Sequence, residues 1–219
     1  MKNKEKLYEY LTNCITDNKK KRFDEIIQNR TRYITIVLEN MYKSHNTSAV
    51  LRTCDCFGVQ DVHIIEDKEK YKTNPNIALG SSKWLDIIKY NNTKECLLSL
   101  KNKGYQIVAT TPHTNNCNIE DLQIDKKIAI VFGNEVQGIS NTIKENANIF
   151  VKIPMYGFTE SFNLSVCAAL TLFSLTEKIR KSDINWELTK KEIIDIKLNW
   201  AKISIKSSDL LEQNFLKNI

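Results

Sequence analysis

The chain has 219 residues, 42% hydrophobic and 26% charged, with only 3 prolines and 6 glycines, which predicts one mid-sized soluble domain with short terminal additions and no long flexible linker. No run approaches the roughly 18 apolar residues of a membrane span, and no apolar stretch backs the lysines of the N-terminus MKNKEKLYEYLTNC, so neither a membrane helix nor a secretory signal is expected. The formal net charge of +6 leans toward a polyanionic partner.

In chain order, residues 3–30 place Leu7, Tyr10, Leu11, Cys14 and Ile15, then Phe23, Ile26 and Ile27, at helical spacing, which predicts two short helices. Lys19, Lys20, Lys21, Arg22, Arg30 and Arg32 crowd this stretch; a looser basic set (Lys178, Arg180, Lys181, Lys190, Lys191) lies near the C-terminus. Each set reads equally as a grip on a nucleic-acid backbone or as a solvated helix face. ITIVL (34–38) is an unbroken β-branched run, the pattern of a strand buried on both faces of a parallel sheet. Residues 46–57 predict a helix capped by Asn46 and stopped by Gly58. VHII (62–65) is the next strand, 67–84 is polar and irregular, 85–90 a short strand, and 92–103 a helix closed by Gly104.

QIVAT (106–110) and IAIVF (128–132) are strands separated by a polar loop from Pro112 to Asp125. A helix begins at about Ser140, IFVKI (149–153) is a strand, an apolar helix covers about 161–181, and an amphipathic helix spans about 186–200 before a polar tail. Strands alternating with helices predict an α/β fold on a mainly parallel sheet with helices on both faces. Its boundaries are expected at 31–181, between a basic helical segment 1–30 and a helical extension 182–219. Ligands of such sheets bind beyond the carboxyl ends of the strands, here after 106–110, 128–132 and 149–153.

The six cysteines (14, 54, 56, 96, 117, 167) form no CxxC pair and no cluster with histidine, so a reduced, cytoplasmic protein without a metal is expected. Of the histidines, His63 lies within a strand and is expected to be packed, while His45 adjoins Asn46 and His113 stands alone.

A few polar residues stand out against this frame. Arg52 is one of five arginines in a lysine-rich chain and sits on a helix among Ala49, Val50, Leu51 and Cys54. Its planar guanidinium suits a phosphate or ribose oxygen; an ion pair to Asp55 or Glu135 is the structural alternative. Asn46 and Asn163 each have a capping role open to them. Glu135 follows Gly133 and Asn134 at a strand end, where a carboxylate meets water, ligand or a partner arginine. Gly133, Gly138 and Gly157 permit positive φ or close backbone approach. No GxGxxG follows a strand, so an ordinary dinucleotide site is not indicated.

Three segments, LENMYKSHNTSAVLRTCDCFGV (38–59), IVFGNEVQGIS (130–140) and VKIPMYGFTESFNLSVCAALTLF (151–173), resemble in order and content the motifs of the SpoU, or TrmH-like, branch of the SPOUT RNA methyltransferases. The resemblance covers roughly residues 20–185. It implies a C-terminal trefoil knot, S-adenosylmethionine as cofactor and 2′-O-methylation of a ribose. Within the family the likeness is strongest to members acting on guanosine 18 of tRNA, carried by KRFDEIIQNR, GSSKWLDI (80–87) and the added C-terminal helix. Ribosomal RNA, another tRNA nucleotide, or RNA binding without catalysis are the alternatives.

The resemblance carries over catalytic roles for Arg52, Asn46, Glu135, Asn163 and Ser161. It implies cofactor contacts at Thr110, Gly133, Asn134, Ile153, Met155, Phe162 and Leu164. RNA contacts are expected at Lys20, Lys21, Arg22, Arg30, Arg180 and Lys181. It also implies a homodimer, with Val166, Ala169, Leu170, Phe173 and Leu175 as the apolar face available to core or interface. Glu160 and Phe162 depart from the glutamine and leucine common in relatives, and Asn134 from a small residue; none of these removes a catalytic group.

Overall fold

The computed structural model describes residues 2–41, 43–67, 80–113 and 117–217. They group into two compact units, 31–186 and a second made jointly from 1–30 and 187–219. The ends therefore do not form two separate additions: both fold into the same helical unit, and the boundary falls after Trp186.

The larger unit is a seven-stranded, all-parallel sheet in the order β3-β2-β1-β6-β4-β7-β5. Its strands are β1 (Ile34–Glu39), β2 (Asp61–Ile65), β3 (Asp86–Tyr90), β4 (Gln106–Thr110), β5 (Cys117–Asn118), β6 (Ile128–Phe132) and β7 (Ile149–Lys152). β1 is an interior strand, pairing Ile36 with Val62 on one side and with Ile130 on the other. Every residue of β1 is buried, Thr35 and Glu39 included, as in a strand covered on both faces. The period-2 alternation of side chains then splits the core. Ile34, Ile36 and Leu38 join Val50, Leu51 and Cys54 of helix α3 (Ser44–Phe57) and Ala168, Leu172 and Leu175 of the C-terminal helix of this unit. On the other face Val37 and Val131 meet Cys96, Leu97 and Leu100 of α4 (Thr93–Asn102) and Ile143 of α5 (Asn141–Asn146).

The C-terminal helix of the unit, α6, is Leu164–Arg180 and is capped by Asn163, whose Oδ1 accepts from the Ser165 amide at 2.9 Å. Of its expected apolar face, Leu175 belongs wholly to the core and Ala169 is half-buried. Val166, Leu170 and Phe173, at i, i+4 and i+7, are exposed, as is Phe162 just before the helix. The expected polar loop 112–125 contains the two-residue β5 and a 3-10 turn, Ile119–Asp121, with Ile119 and Leu122 buried. Most of the irregular segment 67–84 lies outside the described residues; its end, Ser81–Trp84, is a second 3-10 turn.

The helical unit consists of α1 (Lys2–Thr12), α2 (Asp17–Ile27), α7 (Lys190–Ser204) and α8 (Ser208–Lys217). Leu11, Phe23, Ile27 and Trp200 are buried in it, and Tyr10 packs at a tilt against Phe215 with centroids 5.3 Å apart. α8 replaces the expected polar tail, and α7 starts later than expected because Thr189 and Glu192 form a capping box there. Among the described residues no helix is long and apolar enough to cross a membrane.

His63 is packed within β2, 1% exposed, with Nδ1 3.1 Å from the Tyr90 hydroxyl. Burial, aided by the charge of Lys103, pushes its pKa down from 6.5 to about 4. The folded protein therefore prefers the neutral ring, and the unfolded chain takes up the proton first as pH falls. The stability concerned is complete above pH 6.5 and drains away toward pH 4, about 3 kcal/mol in all. His63→Gln is expected to flatten this part of the acid limb. Urea midpoints at pH 7 and pH 4.5 should differ less in the variant than in the parent; equal differences would rule the ring out as the source.

Candidate active site

The carboxyl ends of β1, β6, β4 and β7 stand side by side, and the segments leaving them supply most of the expected site residues. β6 leads into a tight loop. The Asn134 amide donates to the Gly138 carbonyl at 2.9 Å and the Gly138 amide returns to Asn134 at 2.8 Å. Asn134 Oδ1 accepts from the amides of Val136 and Gln137, and Nδ2 donates to the Asn40 carbonyl at 2.6 Å. Gly133 is required by this fold-back: a Cβ there would stand 2.3 Å from the Gly138 carbonyl carbon. Gly138 has φ +69, which favours glycine, while a Cβ on Gly157 would meet nothing within 4 Å.

Asn46 does not cap its helix. α3 begins at Ser44 after Lys43, so Asn46 falls in the first turn with its side chain 5% exposed and turned inward. Its Nδ2 donates to Glu135 Oε1 at 2.9 Å, and its Oδ1 accepts from Asn163 Nδ2 at a long 3.4 Å. Asn163 Oδ1 in turn accepts from the Ser165 hydroxyl at 2.6 Å. A chain of polar side chains thus joins the helix after β1, the loop after β6 and the start of α6.

Arg52 stands apart from that chain. It is exposed on α3, on the helix face that also carries exposed His45 and Cys56. Among the described residues it makes no hydrogen bond or ion pair, so the expected alternative pairing with Asp55 or Glu135 is not formed. Ser161 is likewise exposed.

Of the expected cofactor positions, Thr110, Gly133, Asn134, Ile153, Met155 and Leu164 are half-buried and Phe162 is 40% exposed. The Thr110 hydroxyl donates to the Val131 carbonyl across the strand pair at 3.0 Å. A cavity of about 780 Å³ borders the other side of the 134–140 loop, lined among others by Asn40, Asn92, Lys94, Asn134, Gln137 and Lys144. Only Asn134 of the expected cofactor residues lines it.

The expected RNA contacts divide. Lys21 and Arg22 are exposed, while Lys20 pairs with Asp17 at 3.2 Å. Arg30, expected at the RNA surface, is instead buried: it is 2% exposed, its guanidinium 5.5 Å from the Trp200 ring, and offers no surface to a ligand. Arg180 donates to the Phe57 carbonyl at 3.1 Å and stacks 5.6 Å from Trp186, and Lys181 pairs with Glu177 at 2.9 Å. Lys178 is committed to the carbonyls of Glu120 and Leu122. Among the described residues no group of three or more His, Cys, Asp or Glu could hold a metal ion.

One residue at this edge is not singled out by its sequence context. Glu39, the last residue of β1, is 1% exposed and fully engaged by Thr93 and Ser140. A carboxylate ending a strand buried on both faces is the signal that could have found it.

Comparison with known proteins bears on the same segments. The profile of the SpoU rRNA Methylase family matches residues 33–173. The tRNA (guanosine(18)-2′-O)-methyltransferase of Borreliella burgdorferi is 42% identical over 202 residues, 92% of this chain and 93% of its own length. The crystal structure of the Aquifex aeolicus TrmH/SpoU tRNA modifying enzyme superposes with a TM-score of 0.78 at 34% identity, covering 86% of this chain and 98% of that one. The SpoU methyltransferase AviRb of Streptomyces viridochromogenes, in complex with AdoMet, has the same fold at 19% identity and a TM-score of 0.64, covering 72% of this chain and 65% of that one. With three motifs meeting at one end of a parallel sheet and a family profile spanning that sheet, this chain belongs to the SpoU rRNA methylase family.

Proposed function

We propose that this chain transfers a methyl group from S-adenosylmethionine to the 2′-hydroxyl of guanosine 18 in the D-loop of tRNA. One observation carries the reading: Asn46 bonds both Glu135 and Asn163, drawing the three motif segments onto one point while Arg52 on the same helix stays exposed. The likeness to relatives acting on tRNA guanosine 18 supports the substrate.

The residues at the ends of β4, β6 and β7 suit the cofactor. Half-buried Ile153, Met155 and Leu164 offer apolar contact to an adenosine, and the backbone around Gly133 and Thr110 offers polar contact to its edges. When bound, the sulfonium supplies an electrophilic methyl group. The protein then has to align the ribose oxygen and ease loss of its proton, so most of the acceleration comes from placement and fixed charge. Arg52, a cation with a planar fork of donors, holds an RNA phosphate and the ribose oxygen and favours the developing alkoxide. The Glu135–Asn46–Asn163 chain fixes α3, and with it Arg52, against the cofactor loops, with Ser161 at the rim.

In this reading the segment 31–181 carries a trefoil knot as its catalytic part, and the protein works as a cytoplasmic homodimer. Val166, Leu170 and Phe173 supply an apolar stripe for a second copy. Lys21 and Arg22 grip the RNA backbone, aided by Lys20, Arg180 and Lys181. Deleting residues 1–32 would remove Leu11, Phe23 and Ile27 from a core, so a surface variant is the cleaner probe. Lys21→Ala/Arg22→Ala is expected to lower the slope of log affinity for tRNA against log salt by about 2, one per phosphate contact, with cofactor affinity unchanged. An unchanged slope, measured by filter binding across a salt series, would exclude both residues from the interface.

The reading is tested by mass spectrometry of nucleosides from unmodified tRNA transcript incubated with the protein and S-adenosylmethionine. A 2′-O-methylguanosine mapping to the D-loop is expected. Cofactor binding without tRNA methylation would move the substrate to ribosomal RNA; no cofactor binding would leave an RNA-binding module.

A further inference from the structure

A buried carboxylate is costly unless its oxygens are saturated, and Glu39 is saturated by partners from two other segments. Oε1 accepts from the Thr93 hydroxyl at 2.7 Å and from the Ser140 hydroxyl at 2.7 Å; Oε2 accepts from the Ser140 amide at 2.9 Å. Ser140 is the residue at which the loop after β6 ends, and its hydroxyl accepts from the Ile143 amide at 3.2 Å to cap α5. The next residue of the chain holds the other end of the same loop. Asn40, at φ 50 in the left-handed region, presents its carbonyl to Asn134 Nδ2. Consecutive residues at the end of β1 therefore grip Asn134 and Ser140, the two ends of a loop stiffened internally by the Asn134–Gly138 pair. That loop carries Glu135, the partner of Asn46.

We infer that Glu39 is a positioning residue: acting through Ser140, it sets where Glu135 stands and thereby aligns Asn46 and the cofactor loop for methyl transfer. The inference rests on the function proposed above for this site. Thr93 binds the same carboxylate from α4 and has no part in the loop, so it serves as the control for simple cementing of the fold.

The test has two readouts: amide exchange of Ser140 and Asn134 in the free protein by NMR, and single-turnover methylation at saturating cofactor and tRNA. Glu39→Ala is expected to speed Ser140 exchange at least tenfold and to slow methyl transfer about tenfold or more, with tRNA affinity within twofold of the parent. Glu39→Gln should recover most of both, because its oxygen can accept from the Ser140 amide while its nitrogen donates to the two hydroxyls. Thr93→Val should leave Ser140 exchange and the transfer rate within twofold even where the melting temperature falls. Parental rate and exchange in folded Glu39→Ala would overturn the inference, and so would equal loss of rate in Glu39→Ala and Thr93→Val. Should Glu39→Ala not fold, Ser140→Ala removes one of the two tethers and is expected to move both readouts about threefold; no movement there overturns it as well. A parent that methylates no RNA would refute the functional reading, while the exchange data would still decide whether Glu39 holds the loop.

Discussion

Arg52→Ala is expected to slow methyl transfer by about 10²–10³-fold, the range seen when one preorganised donor to a developing oxyanion is lost, while S-adenosylmethionine binds with parental affinity. The expectation follows from where the side chain stands. It is exposed, makes no bond to the rest of the described protein, and sits on a helix fixed at its first turn by Asn46. Removing a side chain with no partners changes stability within about 0.5 kcal/mol, so lost rate cannot be charged to lost fold. Arg52→Lys keeps the charge and loses the fork, and should recover only a small part of the rate. Calorimetric cofactor binding beside single-turnover methylation decides the matter; parental turnover in Arg52→Ala would remove this residue from the chemistry.

Gly133→Ala should act in the opposite sense, on cofactor binding before chemistry. The added methyl would lie 2.3–2.4 Å from Gly138 and Ile139 backbone atoms, and backbone cannot swing aside as a long side chain can. The loop must open, at about 1–3 kcal/mol of overpacking strain, and the polar backbone offered to the cofactor moves with it. Cofactor affinity is expected to fall by about 30-fold or more and the melting temperature to drop. Gly157→Ala, where the methyl meets open space, should do neither. Parental affinity in Gly133→Ala would mean that this loop does not hold the cofactor.

Much of the sheet is legible in the sequence because its strands are buried on both faces. ITIVL, VHII, QIVAT and IAIVF are too apolar for a sheet with one wet side, and each is a strand in the structure. β5 is not legible, since two residues leave no period. α8 is hidden because it is short and buries none of its residues, and Phe215 finds Tyr10 only at the far end of the chain. The site is legible as motifs but not as bonds. Asn46 reads as a cap because asparagine commonly is one, yet the helix starts two residues earlier and the amide turns to Glu135. Arg30 sits in a basic run like its neighbours, and nothing local announces Trp200 stacked over it. Glu39 shows the same limit from the other side, a charge whose partners, Thr93 and Ser140, lie far along the chain.

The interior place of β1, between β2 and β6, also governs how the protein can be made. Ile34 pairs with Ile128, so a strand buried on both faces leaves the ribosome long before one of its two neighbours exists. At about 5–20 residues per second this interval is roughly 5–20 s, during which one edge of ITIVL offers unpaired backbone to any other nascent chain. Closure of the sheet waits on synthesis of the strand that leads into the Glu135 loop, so chain topology ties the completion of folding to the birth of the site itself. Slow expression or a chaperone that shields extended apolar segments should raise the soluble yield, and a chain truncated before residue 128 should aggregate.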